Sequence, residues 1–147
     1  MCSKNNHYIV GTYNLLQEDL HMNKILGYVF LVVLAGVFVM TGFNKISGAD
    51  MMIQTFESFS YPTWTMYLLG AAELLSAVGL LIPRTRILAS GILTFILIGA
   101  VGSHLIYAQY AAVPFPAVLL VANIIVLVVG MRRLEAEEEG QMDAIQA

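Results

Sequence analysis

Charged residues are scarce in this sequence, and most of them lie outside its long apolar stretches. Only 12% of the 147 residues are charged, whereas 59% are hydrophobic; a soluble domain usually has about 25% charged residues. A water-soluble fold of this length has too little interior to bury so many apolar side chains. The formal net charge is only -3, and no basic patch indicates a nucleic-acid partner. The sequence therefore predicts one membrane domain that does not bind nucleic acid.

Cysteine and histidine are also rare. Cys2 is the single cysteine, which excludes an internal disulfide, a Cys-x-x-Cys redox pair and a thiolate metal site. His7 and His21 precede the first apolar run, and only His104 lies within one. One histidine and one carboxylate in the apolar runs make a weak ligand set, so we predict no metal site. Haem is poorly supported for the same reason.

Four apolar runs are long enough to cross a membrane, because a spanning helix needs about 20 mostly apolar residues. They are residues 25–43, 64–82, 87–107 and 112–131. The connections after the second and third runs are short, and short connections make consecutive helices antiparallel neighbours. Pro83 is expected to end the second helix, and Pro114 and Pro116 to lie in the first turn of the fourth. The predicted fold is an all-α, integral membrane, up-down four-helix bundle.

Lysine and arginine are distributed unevenly between the two sides of this bundle. Six basic residues fall on the side of the N-terminus, namely Lys4, Lys24, Arg84, Arg86, Arg132 and Arg133. Only Lys45 falls on the other side. Because cytoplasmic loops are enriched in lysine and arginine, we expect a multi-pass protein of the cell inner (plasma) membrane with both termini in the cytoplasm.

The two ends of the chain differ from the apolar region between them. Residues 1–23 are polar and unpatterned, so we expect a disordered leader, or a translation start at Met22 instead of Met1. Residues 134–147 form an acidic segment that is typical of a solvated tail. The predicted domain is therefore residues 24–133.

The segment between the first two apolar runs has helical spacing. In a helix, the apolar residues of this segment would lie on one face; they are Ala49, Met52, Ile53, Phe56 and Phe59. This pattern predicts a short amphipathic helix in the membrane interface, capped by Ser47 with Asp50 and ended by Tyr61-Pro62. We favour a packing role for it over a role as a lid above a pocket, because aromatic stripes usually serve as anchors.

Glu73 lies in the middle of the second apolar run, roughly 13 Å from either end at 1.5 Å per residue. An ionised carboxylate at that depth is costly, so Glu73 should be neutral, paired or facing a wet cavity. Small residues share its helix face, which indicates that the side chain points into the bundle. We expect Asn123 and Thr94 at a similar depth and therefore as its candidate partners.

A second polar group lies nearer the predicted outer side. It consists of Thr41, Asn44, Lys45, Ser103 and His104. Together with Glu73, these residues suggest a polar track from the outer surface to the middle of the membrane. The alternative is structural: a protonated Glu73 bonded to Asn123 would hold two helices together, Lys45 would be an end anchor, and His104 an interfacial polar group.

Four stretches of the sequence resemble the DoxX family, particularly its small DoxX-like branch of four-helix membrane proteins. They are "TGFNKISG" after the first run, "FESFSYPTW" before the second, "LGAAELLSAVGLLIPRTR" through it, and "GAVGSHLIY" in the third. The resemblance extends over about residues 24–131 and depends on the order of these motifs more than on any one of them. By carry-over, Glu73 and His104 match polar positions of the family, and Lys45 matches the lysine after its first span.

The resemblance implies a role near membrane redox chemistry. Some relatives are subunits that pass electrons to membrane quinone, as in the DoxD subunit of thiosulfate:quinone oxidoreductase; others belong to redox-stress complexes or act as assembly chaperones. We therefore expect an accessory subunit of an oxidoreductase that binds quinone or another lipid-like ligand, with the bilayer and a membrane oxidoreductase as partners. The predicted ligand-binding residues are Asn44, Lys45, Glu73, Thr94, His104 and Asn123, and no catalytic residue is identified.

Two other functions compete with this one. The chain could be a non-enzymatic assembly partner or chaperone for other membrane proteins, in which Glu73 only holds the bundle together. A transporter or channel is disfavoured, because four spans and one central carboxylate give a poor ion path unless chains form a homo-oligomer. The sequence leaves open whether Glu73 and His104 share one pocket.

Overall fold

A computed structural model describes residues 4–146 of the chain, with side chains from Ile25 onward except at residue 137. The described part is helical and contains no β-strand. Its helices are α1 (Lys4–Ile46), α2 (Asp50–Ser58), α3 (Thr63–Leu81), α4 (Arg86–Ile106) and α5 (Pro114–Gln146), with a short 3₁₀ helix at Tyr110–Ala112 before α5. The all-α class predicted from the sequence is confirmed.

The chain divides into two compact units at a boundary inside α1, after Val33. Among the described residues, the first unit contains only the N-terminal part of α1. The second unit begins at Leu34 and contains the rest of α1 together with α2 to α5. The backbone of α1 is helical from Lys4; residues 1–3 lie outside the described residues, and the disordered leader and the alternative start at Met22 stay predictions.

Four helical stretches are long and apolar enough to cross a membrane. They are Ile25–Ile46, Thr63–Leu81, Arg86–Ile106 and, for its apolar part, Tyr110–Gln146. Many of their large apolar side chains are exposed in the isolated chain, for example Leu75, Phe95 and Val118. Lipid-facing helices have such surfaces, because lipid tails are as apolar as these side chains. The four predicted spans are confirmed.

Short connections join α3 to α4 and α4 to α5. At the first, Thr85 Oγ1 donates to the Gly79 carbonyl at 3.0 Å and Arg86 Nε donates to the Leu80 carbonyl at 2.9 Å. These bonds satisfy carbonyls that the end of α3 leaves without helical partners. The helix α3 ends before Pro83 and α5 begins at Pro114, as the sequence predicts.

Three of the helices end in the same kind of turn. Gly48, Ser60 and Ala108 follow α1, α2 and α4 with φ values of 65°, 55° and 56°. The backbone N–H of the residue after each of them donates to the carbonyl five residues earlier in the chain. One example is the bond from Gln109 to the His104 carbonyl at 2.8 Å. This left-handed capping turn reverses the chain sharply. All three turns lie at the end where α3 begins, which we call the α2 end.

The short helix α2 has the predicted amphipathic face. Phe56 and Phe59 are buried, whereas Gln54 and Glu57 on the other side are exposed. The predicted cap was wrong: Ala49 is the capping residue and makes no side-chain cap bond. Ser47 Oγ donates instead to the Asn44 carbonyl at 3.2 Å, because the turn through Gly48 leaves Ser47 at the end of α1.

Candidate functional site

A cavity lies at the α2 end, within the second unit. Its volume is about 510 Å³, inside the range of roughly 300–1,000 Å³ that is typical of small-molecule sites. All five helices contribute to the lining, which is mainly apolar and aromatic. Its polar members are Thr41, Asn44, Lys45, Thr55, Tyr61, Glu73, Ser103 and His104. An apolar cavity with a few convergent polar groups is the usual form of a ligand site.

The carboxylate of Glu73 forms an ion pair with Lys45. Lys45 Nζ lies 2.9 Å from Oε1 and 2.8 Å from Oε2, and Thr41 Oγ1 donates to Oε2 at 3.1 Å. The side chains of Lys45 and Glu73 are only 14% and 5% exposed. Glu73 is therefore paired, one of the three states expected from its depth, and it joins α3 to α1.

Two glycines explain how α1 and α3 come close enough for this pair. A Cβ added to Gly70 would lie 2.8 Å from Lys45 Cβ and 2.9 Å from the Gly42 carbonyl. A Cβ added to Gly42 would lie 2.9 Å from the Gly70 carbonyl. Gly70 is one turn before Glu73 on α3, and Gly42 is one turn before Lys45 on α1. The backbones touch at these glycines, as small residues permit in membrane helices.

A second hydrogen-bonded group in the site, separate from the Lys45–Glu73 pair, joins the connection before α3 to the end of α4. The hydroxyl of Tyr61 lies 3.1 Å from Ser103 Oγ, and Ser103 Oγ donates to the Gly99 carbonyl at 2.9 Å. The single hydroxyl proton of Ser103 is used in the second bond. Tyr61 must therefore be the donor in the first bond.

His104 belongs to a third group, which connects α4 to α2. Its Nδ1 lies 3.1 Å from Gln109 Oε1, and Gln109 Nε2 donates to Ser58 Oγ at 2.7 Å. The imidazole also packs edge-on against Phe59, with ring centroids 5.1 Å apart. The turn after α4 brings Gln109 back onto the histidine.

The expected contact between Glu73 and Asn123 was wrong. Asn123 Nδ2 donates to the Ser90 carbonyl at 2.7 Å and to Thr94 Oγ1 at 2.8 Å, and Ser90 Oγ bonds back to Asn123 Oδ1 at 3.2 Å. This cluster is buried between α4 and α5. Among the described residues α5 packs against α4 and not against α3, so Asn123 meets α4 instead of Glu73. Neither Asn123 nor Thr94 is in the cavity lining.

The structure brings together four of the six predicted ligand-binding residues. Asn44, Lys45, Glu73 and His104 line one cavity, so Glu73 and His104 share a pocket. Helix α2 and the residue that follows it also line the cavity, through Met52, Phe56 and Phe59 among others, so the packing face of this segment is a wall of the cavity. Among the described side chains, no three histidine, cysteine or acidic residues lie close enough together to hold a metal ion.

Sequence reasoning missed the residues that orient His104 and Ser103. Gln109 and Ser58 lie in a short connection and in a helix end, where a polar residue is unremarkable. Tyr61 was noted only as part of the Tyr-Pro end of α2. Their roles depend on contacts between residues that are separated in the chain by 42 positions in one case and 51 in the other. No local pattern predicts such contacts.

The comparisons with known proteins give one match. No curated protein and no solved structure matches the chain. The family model described as the DoxX-like family matches residues 29–126, which is more than half of the chain and includes the end of α1, α2, α3, α4 and the start of α5. The match includes every polar residue of the cavity named above. This chain is therefore a multi-pass membrane protein that belongs to the DoxX-like family.

Proposed function

We propose that the protein binds a lipid-like molecule of the quinone class in the cavity and acts as an accessory subunit of a membrane oxidoreductase. The observation that supports this most directly is the cavity itself, which combines an apolar lining with a buried Lys–Glu pair and an oriented histidine. An apolar ligand with a polar head needs both features. The apolar lining excludes water from the ligand's body, and the polar groups hold its head.

The Lys45–Glu73 pair has one hydrogen-bond donor to spare. Two of the three N–H groups of the Lys45 ammonium are used in its bonds to the two carboxylate oxygens. Among the described residues, no third acceptor lies within hydrogen-bond distance of Nζ. The pair is neutral as a unit, so it suits a neutral carbonyl oxygen better than an anion. A quinone carbonyl oxygen is such an acceptor, and so is the hydroxyl oxygen of the reduced hydroquinone.

A cavity-filling variant tests binding without breaking the ion pair. Gly99 lines the cavity, and a Cβ added there meets nothing within 4 Å. In Gly99→Phe, we expect the aromatic ring to occupy part of the ligand's volume. Gly91→Phe is the matched control, because Gly91 is on the same helix, has equally open space, and is outside the lining.

The assay is mass spectrometry of organic extracts from protein purified in mild detergent. We expect a quinone-class or other apolar small molecule at a near-stoichiometric amount in the wild type and in Gly91→Phe, and its loss in Gly99→Phe. Bulk lipid alone in all three samples, with equal folding by circular dichroism, would refute the proposal.

The competing function, an assembly partner for other membrane proteins, is favoured by one observation. The Lys45–Glu73 pair joins α1 to α3 with little exposure, as a purely structural link would. This function predicts that the purified protein retains no ligand. It also predicts that a defined membrane protein co-purifies in equal amounts with the wild type and with Gly99→Phe. Ligand loss in Gly99→Phe would decide against it.

For the location, we propose the inner (plasma) membrane with both termini in the cytoplasm. The support is the excess of lysine and arginine on one side of the four spans. Replacing Cys2 by Ser and Gly140 by Cys gives a single thiol in the C-terminal tail. This thiol should resist a membrane-impermeant maleimide in intact cells and react after lysis; labelling in intact cells would reverse the proposed orientation.

A further inference from the structure

The hydrogen bonds around His104 determine which of its ring nitrogens is protonated. They form a chain that starts at a carbonyl of α2 and ends at the imidazole. Ser58 Oγ donates to the Thr55 backbone carbonyl at 2.6 Å, so its only proton is used there. Ser58 Oγ must therefore accept the 2.7 Å bond from Gln109, and the amide nitrogen of Gln109 has to face Ser58.

The orientation of the Gln109 amide then determines the tautomer of the histidine. With its nitrogen on Ser58, Gln109 presents its carbonyl oxygen Oε1 to His104 Nδ1 at 3.1 Å. A carbonyl oxygen only accepts, so Nδ1 is the protonated nitrogen. In the neutral imidazole, Nε2 is then left with a lone pair and no proton. Among the described residues, Nε2 has no hydrogen-bond partner, and His104 lines the cavity.

The neighbouring Tyr61–Ser103 group likewise offers hydrogen-bond acceptors and no free donor. The proton of Tyr61 is used toward Ser103, and that of Ser103 toward the Gly99 carbonyl. The tyrosine oxygen keeps lone pairs and has no free proton. This part of the lining therefore offers hydrogen-bond acceptors, whereas Lys45 offers a donor.

We propose that His104 Nε2 is the acceptor for a hydroxyl group of the bound ligand, and that Gln109 and Ser58 are the positioning residues that keep Nε2 unprotonated. The ligand class is an apolar molecule with a hydroxyl head; for a quinone-class ligand, this is the reduced hydroquinone form. This inference rests on the proposed function, because it assumes that the cavity binds an apolar ligand. It adds which hydrogen-bonding group of the ligand the site selects.

A pair of simple probes tests the selection without redox chemistry. The first probe, para-octylphenol, has a hydroxyl donor, and the second, para-octylanisole, has the same body with that proton replaced by a methyl group. Binding to the purified full chain in maltoside detergent is measured by isothermal titration calorimetry. We expect the phenol to bind about tenfold more tightly than the anisole, because the anisole leaves Nε2 without a donor.

The positioning role is tested with Gln109→Leu, which removes the acceptor for Nδ1–H. In this variant we expect the preference for the phenol to fall toward equal binding, while the anisole binds as before. Gln54→Leu is the matched control, because Gln54 is exposed on α2 and outside the lining. Its preference should equal that of the wild type.

Nuclear magnetic resonance of isotope-labelled histidine gives a readout that a merely structural role would not change. The nitrogen chemical shifts of His104, assigned with His104→Gln, should show a protonated Nδ1 and an unprotonated Nε2 in the wild type and a different tautomer population in Gln109→Leu. A protonated Nε2 in the neutral wild-type ring overturns the proposal even if the variants do not fold.

The outcomes separate this inference from the proposed function. Equal binding of phenol and anisole to the wild type refutes the hydroxyl selection and leaves the apolar ligand site standing. Binding of neither probe at saturating concentration, together with no retained ligand in the wild-type extracts, refutes the ligand site and this inference with it.

Discussion

The Lys45–Glu73 pair should contribute strongly to stability, and a double-mutant cycle measures how much. Lys45→Met keeps the volume of the lysine stem and removes its charge. Glu73→Gln keeps the shape of the glutamate and removes its charge. Each single variant leaves one charged group in a poorly exposed position, without its partner at 2.8–2.9 Å.

The expected cost follows from the burial of both groups. Removing one partner of a buried ion pair typically costs about 3–5 kcal/mol, because the other charge stays buried. Lys45 and Glu73 are 14% and 5% exposed and face a cavity, so we expect about 3 kcal/mol for each single variant. The double variant removes both charges and should cost less than either single one.

The assay is unfolding of the four proteins in mixed micelles of maltoside and dodecyl sulfate, followed by circular dichroism. The coupling free energy is the difference between the double variant and the sum of the singles. It should exceed about 3 kcal/mol, because the two singles together cost about 6 kcal/mol and the double variant costs less than about 3 kcal/mol. Additive effects, or single variants that cost less than about 0.5 kcal/mol, would show that the pair is solvated and marginal. That result would refute the reasoning from burial.

Two further predictions concern packing. Gly70→Ala places a methyl group 2.8 Å from Lys45 Cβ, and we expect the free energy of unfolding to fall by about 1–3 kcal/mol in the same assay. Gly36→Ala is the control, because nothing lies within 4 Å of the added methyl group, and it should leave the free energy of unfolding nearly unchanged. Asn123→Leu removes three side-chain bonds to α4 and should cost about 1–2 kcal/mol, with ligand retention unchanged because Asn123 is outside the cavity lining. Equal stability of Gly70→Ala and Gly36→Ala, or ligand loss in Asn123→Leu, would contradict these assignments.

Much of the fold could be predicted from the sequence, because its signals are local. Length and apolar composition are enough to identify a spanning helix, and the four spans agree with the observed helices. The spacing of Phe56 and Phe59 predicts the buried face of α2 in the same way. Pro83 and Pro114 mark helix boundaries, since proline acts on its own turn. The small residues beside Glu73 indicate an inward-facing side chain, and Glu73 is buried.

The composition of the site could be predicted only in part. Hydropathy and spacing indicate the depth of a residue along a helix, so Asn123 and Thr94 were expected beside Glu73. They do not determine how far one helix is rotated relative to another. In the structure the carboxylate of Glu73 turns toward α1, and the long side chain of Lys45 reaches it from the end of that helix. Depth alone favoured the wrong partner.

The sequence by itself determined that this is a membrane protein with four spans, an amphipathic connection and a carboxylate inside the bundle. Only the tertiary structure decided that Glu73 pairs with Lys45, that Asn123 belongs to a separate cluster, and that Gln109 orients His104. The physical reason is the distance along the chain over which each kind of signal acts. Hydropathy and helix periodicity act over a few neighbouring residues, whereas the partner and tautomer of a buried polar group depend on helix rotation and on turns that bring distant residues into contact.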